Sequence, residues 1–130
     1  MTETASSTLP REAKGPMAPP TAPGGTVQAV AHAVAGWPEV AATTHWHLND
    51  KTKVDGVDFY VGTEELGHIH LDGSIHLATS PTLSRAIVAE GLGRPFPWVH
   101  GWTLASVDVL GVEAAVALFR RNYDRLRPGA

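Results

Sequence analysis

The sequence predicts an α+β domain with a mainly antiparallel sheet of about five strands and helices on one face, in the order α-β-β-β-β-α-β-α. Three observations carry this. Residues 44–78 alternate with a period of two. Asp-Gly pairs at Asp55-Gly56 and Asp72-Gly73 punctuate that alternation as hairpin turns do. Helical stripes stand outside it, at Val27, Val30, Ala31, Val34 and again from Val112 to Leu126.

Size and composition bound the rest. The chain has 130 residues, 43% apolar and 18% charged, which suits one globular domain. Residues 1–25 hold five of the ten prolines and no apolar period, so they read as a disordered leader before a single domain over 26–130. With no cysteine, disulfides and thiolate metal sites are excluded. No apolar run is long enough for a membrane span. The N-terminus lacks a basic-then-apolar signal layout, so the expected location is cytoplasmic. A net charge of −3 argues against a nucleic-acid partner.

Taken in order, Thr26 is the candidate N-cap of the first helix, which Gly36 and Pro38 end. In the strand that follows, Trp46, Leu48, Thr52 and Val54 share the core parity, with Asn49-Asp50 a candidate interruption. A two-residue turn at Asp55-Gly56 would pair Val54 with Val57 and Thr52 with Phe59. Ser80-Pro81 opens a helix, with Ser as N-cap and Pro at its first position, and Gly91 suits its C-terminal end. Gly93 to Pro97 reads as a loop, and Trp98 to Leu110 as a more buried strand. The last helix runs from about Val112 to Leu126, its arginines near the end that favours cations.

Seven histidines are many for this length. His68 and His70 are two apart, so on a strand they share a side. His76 joins them only if the turn at Asp72-Gly73 has an odd number of residues. An odd loop also gathers Ile69, Leu71, Ile75 and Leu77 on the core side. Each such aliphatic is worth roughly 1.5–3 kcal/mol when buried, which outweighs the preference for a two-residue turn. The expected register therefore pairs His70 with His76. Pairing Phe59 with Ile69 and Val57 with Leu71 keeps the core consistent, placing Tyr60 opposite His68 and Asp58 opposite His70.

A carboxylate beside an imidazole orients it and raises its basicity, as a general base requires. Three imidazoles around one point also suit a divalent metal with an open position. The competing reading is a polar, solvated face or a dimer seam. Trp98, His100 and Trp102 share one strand parity, so they either line a pocket against the histidines or belong to the core. Glu64-Glu65 reads as a solvated turn, and Arg85 and Arg94 as surface residues with anion binding as the alternative. His32 sits off its helical stripe and reads as solvated.

The strings Gly56-Val57-Asp58-Phe59-Tyr60-Val61-Gly62 and Glu65-Leu66-Gly67-His68-Ile69-His70 resemble the luciferase-like domain family. The resemblance extends from about Thr43 to Leu126, through Gly101-Trp102-Thr103 and Leu118-Phe119-Arg120-Arg121-Asn122-Tyr123. It does not imply the flavin-dependent barrel luciferases, whose length and βα repeat are absent. It implies no cofactor. His68 and His70 match the family pattern, whereas His76 departs from the acidic residue that pattern implies.

The leading expectation is a small cofactor-independent enzyme acting on an organic metabolite by acid–base chemistry. His68 and His70 would be its acid–base groups, oriented by Asp58 or Tyr60, with His76, Trp98, His100 and Trp102 contacting the substrate. One alternative is a metal-dependent enzyme with a divalent ion on His68, His70 and His76. The other is a non-catalytic ligand-binding or interaction domain, a homodimer included.

Overall fold

The computed structural model describes Ala18 and residues 24–127. The expected disordered leader lies outside the described residues, apart from Ala18, Gly24 and Gly25. Helix α1 (Gly25–Ala35) is followed by strands β1 (Val40–His47), β2 (Asp50–Val61), β3 (Glu64–His70) and β4 (Ser74–Leu77). Then come α2 (Pro81–Ala89), β5 (Arg94–Pro95), β6 (Thr103–Ser106), α3 (Val107–Leu110) and α4 (Val112–Leu126). The strands form one antiparallel sheet of six, in the order β1-β2-β3-β4-β6-β5. The α+β class stands, with six strands instead of about five.

The helices form for the reasons their sequences carry. In α1, Val27, Val30, Ala31 and Val34 are buried on one stripe. Gly24, not Thr26, is its N-cap, because the Gly24 carbonyl already accepts the Gln28 amide at 3.3 Å. At the start of α2, Ser80 Oγ accepts the Leu83 amide at 3.1 Å and Pro81 occupies the first turn. Helix α4 buries Ala115, Leu118, Phe119 and Tyr123, and Phe119 meets Phe59 of the sheet edge-on at 5.5 Å. Asn122, fully buried, donates to the carbonyls of Leu66 (2.8 Å) and Ala78 (3.1 Å), tying α4 to β3 and to the end of β4. The arginines around its end have specific partners: Arg121 pairs with Glu90, Arg120 with Asp124 and Arg127 with Glu39. Among the described residues no helix is long and apolar enough to cross a membrane.

The sheet corrects several expectations. Asp55-Gly56 is not a hairpin turn. It lies inside the continuous strand β2, and the chain reverses at Leu48-Asn49. Leu48 is consequently an exposed turn residue and not core. Beside Asp55 the register slips: His45 faces Gly56, yet Trp46 faces Val54, so Asp55 is an extra residue, a β-bulge. A second bulge interrupts the β2–β3 ladder, where Phe59 faces Gly67 but Tyr60 faces Glu65, leaving Leu66 extra. On the His68 side of this bulge the β2–β3 register lies two residues from the one expected. Val57 faces Ile69, and Asp58 faces His68 instead of His70.

Between β3 and β4 the odd loop is present, with Ile69 opposite Ile75 and Gly67 opposite Leu77. It is centred one residue earlier than expected, which pairs His68 with His76 instead of His70 with His76. Ile69, Ile75 and Leu77 are buried in the core, whereas Leu71 sits in the turn and is exposed. Only Thr103–Ser106 of the expected strand over 98–110 is extended. The Thr103 amide region pairs with Leu77, and the following residues close into α3. Within the expected loop, Arg94-Pro95 adds the short edge strand β5.

Gly56 makes the first bulge possible. Its φ of 156° lies where side chains are strained, and a Cβ would overlap the Ile69 carbonyl oxygen and come within 2.9 Å of His70 Cα. Gly56→Ala should therefore destabilise the fold by about 3 kcal/mol or more. Gly62→Ala, with positive φ but open space around it, should cost about 1–2 kcal/mol. Urea denaturation of both variants measures the difference, and equal costs would show that Gly56 is not constrained by β3.

Candidate functional site

Both faces of the sheet are buried over residues 56–61 of β2 and 65–69 of β3. Helices cover one, and the other carries the histidines. Alternation points His68 and His70 of β3, His76 of β4 and His45 of β1 to that second face. The rings form one cluster. His45 stacks on His68 at 4.1 Å and 14°, and the centroids of the pairs His68–His70, His68–His76 and His70–His76 lie 5.0, 4.7 and 4.5 Å apart.

Three of the four imidazoles are held by their own carboxylate. His45 Nδ1 lies 2.8 Å from Asp58 Oδ1, His68 Nδ1 lies 2.9 Å from Glu65 Oε2, and His70 Nδ1 lies 2.8 Å from Asp55 Oδ2. An ionised carboxylate can only accept, so each Nδ1 carries the proton and each Nε2 keeps its lone pair. The fourth ring, His76, offers Nδ1 at 3.0 Å from His68 Nε2 and 3.4 Å from His70 Nε2. A nitrogen from each of His45, His68 and His70 also lies within 4.8 Å of the other two.

The two bulges supply two of these carboxylates. An unbroken alternation would turn Asp55 and Glu65 toward the core. Each bulge reverses that parity locally and aims the carboxylate at an imidazole. Asp58 needs no bulge, because it already shares the face and sits opposite Thr43 and His68. Its Oδ1 is 3.6 Å from His68 Nδ1 as well as bonded to His45.

Burial governs the electrostatics. Asp58, Glu65 and His68 are 3%, 5% and 7% exposed. Burial, followed by the neighbouring His45, pushes His68 well below the ordinary imidazole range. Burial, followed by His70 and His45, lowers His76 to about 4. Both rings are therefore neutral at pH 7, with lone pairs available. Two aromatic rings close the side of the cluster: Phe96 lies 4.5 Å from His76, and Trp102 lies 6.3 Å from His68.

Residues 63–122 match the family model described as Luciferase domain. The resemblance read from Glu65-Leu66-Gly67-His68-Ile69-His70 is thereby borne out. No curated protein and no solved structure gives a significant match. The luciferase-domain segment contains Glu65, His68, His70, His76, Phe96 and Trp102. His45, Asp55 and Asp58 lie ahead of it, so the site joins that segment to the two strands preceding it.

The structure brings His68, His70, His76 and Asp58 together, with Trp102 beside them. Tyr60 is buried on the same strand, opposite Ala41 and Glu65 instead of His68. Trp98 does not line the cluster. Its ring is 80% exposed and meets Phe96 edge-on at 5.4 Å, because the chain turns at 98–101 instead of continuing as a strand. Sequence reasoning missed His45, Asp55 and Glu65. His45 has the parity opposite to that of Trp46 and Val54 in its strand, and Glu64-Glu65 reads as a solvated turn, but Glu65 is buried against His68. The usable signal was a carboxylate shortly before a glycine inside a strand, in Asp55-Gly56 and Glu65-Leu66-Gly67, which is also how a bulge reads.

The depressed histidines set a pH dependence. Between pH 6.5 and about 4 the unfolded chain binds protons at His76 that the folded state refuses, so stability should fall as pH falls through this window. In metal-free protein, His76→Gln should flatten that part of the melting-temperature curve. An unchanged slope would place the acid sensitivity elsewhere.

Proposed function

We propose that this protein is a metal-dependent enzyme acting on a small organic molecule, with a divalent transition-metal ion held by imidazoles of His68, His70 and His76 and with His45 stacked beside them. The observation that carries the reading is the set of three separate imidazole–carboxylate pairs behind one ring cluster. Metal-ligating histidines usually bond their second nitrogen in this way, which fixes the tautomer and raises ligand basicity.

The spacing fits. Zinc–nitrogen bonds of about 2.0–2.1 Å in a tetrahedral site put neighbouring nitrogens about 3.3 Å apart. His76 Nδ1 stands 3.0 and 3.4 Å from the Nε2 atoms of His68 and His70. Between those rings lies one proton, on His76 Nδ1, shared toward two lone pairs. An ion displacing it gains three nitrogen donors at once. The donor types, all imidazole, favour zinc, copper, iron or nickel over magnesium or calcium.

Neutral ligands also define the chemistry. With the carboxylates behind the imidazoles, the ion keeps most of its double charge for a substrate oxygen or a water, acting as a Lewis acid. The acid–base alternative draws support from the 3.0 Å contact between His68 and His76, which can pass a proton. It is the weaker reading, because burial holds His68, one of its two acid–base groups, well below the ordinary imidazole range, which makes it a poor base at neutral pH.

Metal analysis of untagged protein tests the proposal. About one equivalent of a transition metal is expected after dialysis. His70→Ala should lose it, and Asp55→Asn should weaken affinity by roughly 10–100-fold. His32→Ala, on the exposed side of α1, should change nothing. Metal-free protein that takes up neither zinc nor iron on titration would overturn the metal centre and leave the acid–base reading.

A further inference from the structure

A cavity of about 510 Å³ opens between α2 and the β5–β6 connection. Its wall includes Pro81, Arg85 and Val88 from the helix and Phe96, His100 and Trp102 from the connection. That volume lies in the range of small-molecule sites. Phe96 and Trp102 are shared with the imidazole cluster. Their rings touch each other at 5.9 Å and 36°, with Phe96 against His76 and Trp102 facing His68. The cavity and the histidines are thus separated by a single layer of aromatic rings.

The charges in this wall are one-sided. It contains Arg85 and His100 and no acidic residue. Among the other described arginines, Arg120, Arg121 and Arg127 each bond a carboxylate and Arg125 bonds Asn122 Oδ1 and the Ala78 carbonyl, whereas Arg94, outside this wall, has no carboxylate partner. Among the described residues, Arg85 contacts only the Thr82 hydroxyl, at 3.5 Å. A guanidinium left without a carboxylate at the mouth of an apolar cavity has its planar fork of donors available.

We propose that this cavity seats an organic anion with a flat apolar body, the body lying against Phe96 and Trp102 and its carboxylate meeting Arg85. That this anion is the substrate rests on the metal-centre reading above. That it binds here does not. Aromatic faces favour a flat ring system by stacking. The carboxylate favours Arg85 because two parallel N–H···O bonds match its geometry, with His100 adding a donor beside it.

The test uses the full-length, ¹⁵N-labelled protein stripped of metal with EDTA, titrated with 2-naphthoate and with its neutral counterpart 2-naphthamide. The Trp102 indole N–H resonance should shift with both. Naphthoate should bind at least about fivefold more tightly than the amide, the scale of a partly exposed charge pair. Arg85→Gln, a surface exchange that leaves the core untouched, should erase that preference. Phe96→Ala should weaken both probes. Equal affinities in the native protein, a preference that survives Arg85→Gln, or an unmoved Trp102 indole would overturn the proposal. Because metal is absent throughout, failure here leaves the metal centre standing, and failure of the metal analysis leaves this site standing.

Discussion

Every polar group on the second face of this sheet has to be paired, and that requirement organises the molecule. Asp58, Glu65 and His68 are almost entirely withdrawn from water. An unpaired buried carboxylate costs several kcal/mol, and a buried imidazole must place both its donor and its acceptor. The solution is local and repeated: Nδ1–H to a carboxylate, with the Nε2 atoms of His68 and His70 facing His76. Once the donors are placed, the lone pairs have nowhere to point except toward one another. Convergent lone pairs are unfavourable on their own and favourable around a cation. This is the physical reason for the metal-centre proposal.

The bulges follow from the same requirement. A regular strand cannot put residues 55 and 58, or 65 and 68, on one face, because an odd spacing reverses the side. Breaking the ladder once in each strand solves this, and the backbone near each break takes a conformation that glycine tolerates. Gly56 and Gly67 do so at φ of 156° and 149°, with partner backbone packed where a side chain would stand. The core side accommodates the second bulge without loss, since Leu66, the extra residue, is fully buried in the apolar cluster. Asn122 then bonds the Leu66 carbonyl, so the bulge is held from the helix layer as well.

Function and fold meet along the aromatic layer. Phe96 and Trp102 shield the imidazoles on one side and line the cavity on the other. Shielding lowers the local dielectric, which keeps His68 and His76 neutral and strengthens any ion–ligand interaction. The same rings offer a flat apolar surface within reach of an unpaired arginine. A small domain thereby holds a buried imidazole cluster and an apolar cavity back to back.

The sequence by itself determined three of the four described helices, the antiparallel class and the grouping of His68, His70 and His76. Each depends on a period the chain carries locally: 3.6 for the stripes ending in Tyr123 and Leu126, and two for Ile69, Ile75 and Leu77 against the histidines. Ser80-Pro81 was legible because a capping hydroxyl and a proline act on their own turn. Tertiary structure alone decided which carboxylate serves which imidazole. Asp58 bonds His45 instead of His70, Asp55 serves His70, and Glu65 serves His68. Asp58–His45 and Asp55–His70 cross between strands while Glu65–His68 lies within β3, and the pairs of Asp55 and Glu65 hang on bulges set by the neighbouring strand. Asp55-Gly56 carries the same two residues whether it turns the chain or bulges it. Only the partner backbone of Ile69 and His70, packed against Gly56, selects the bulge.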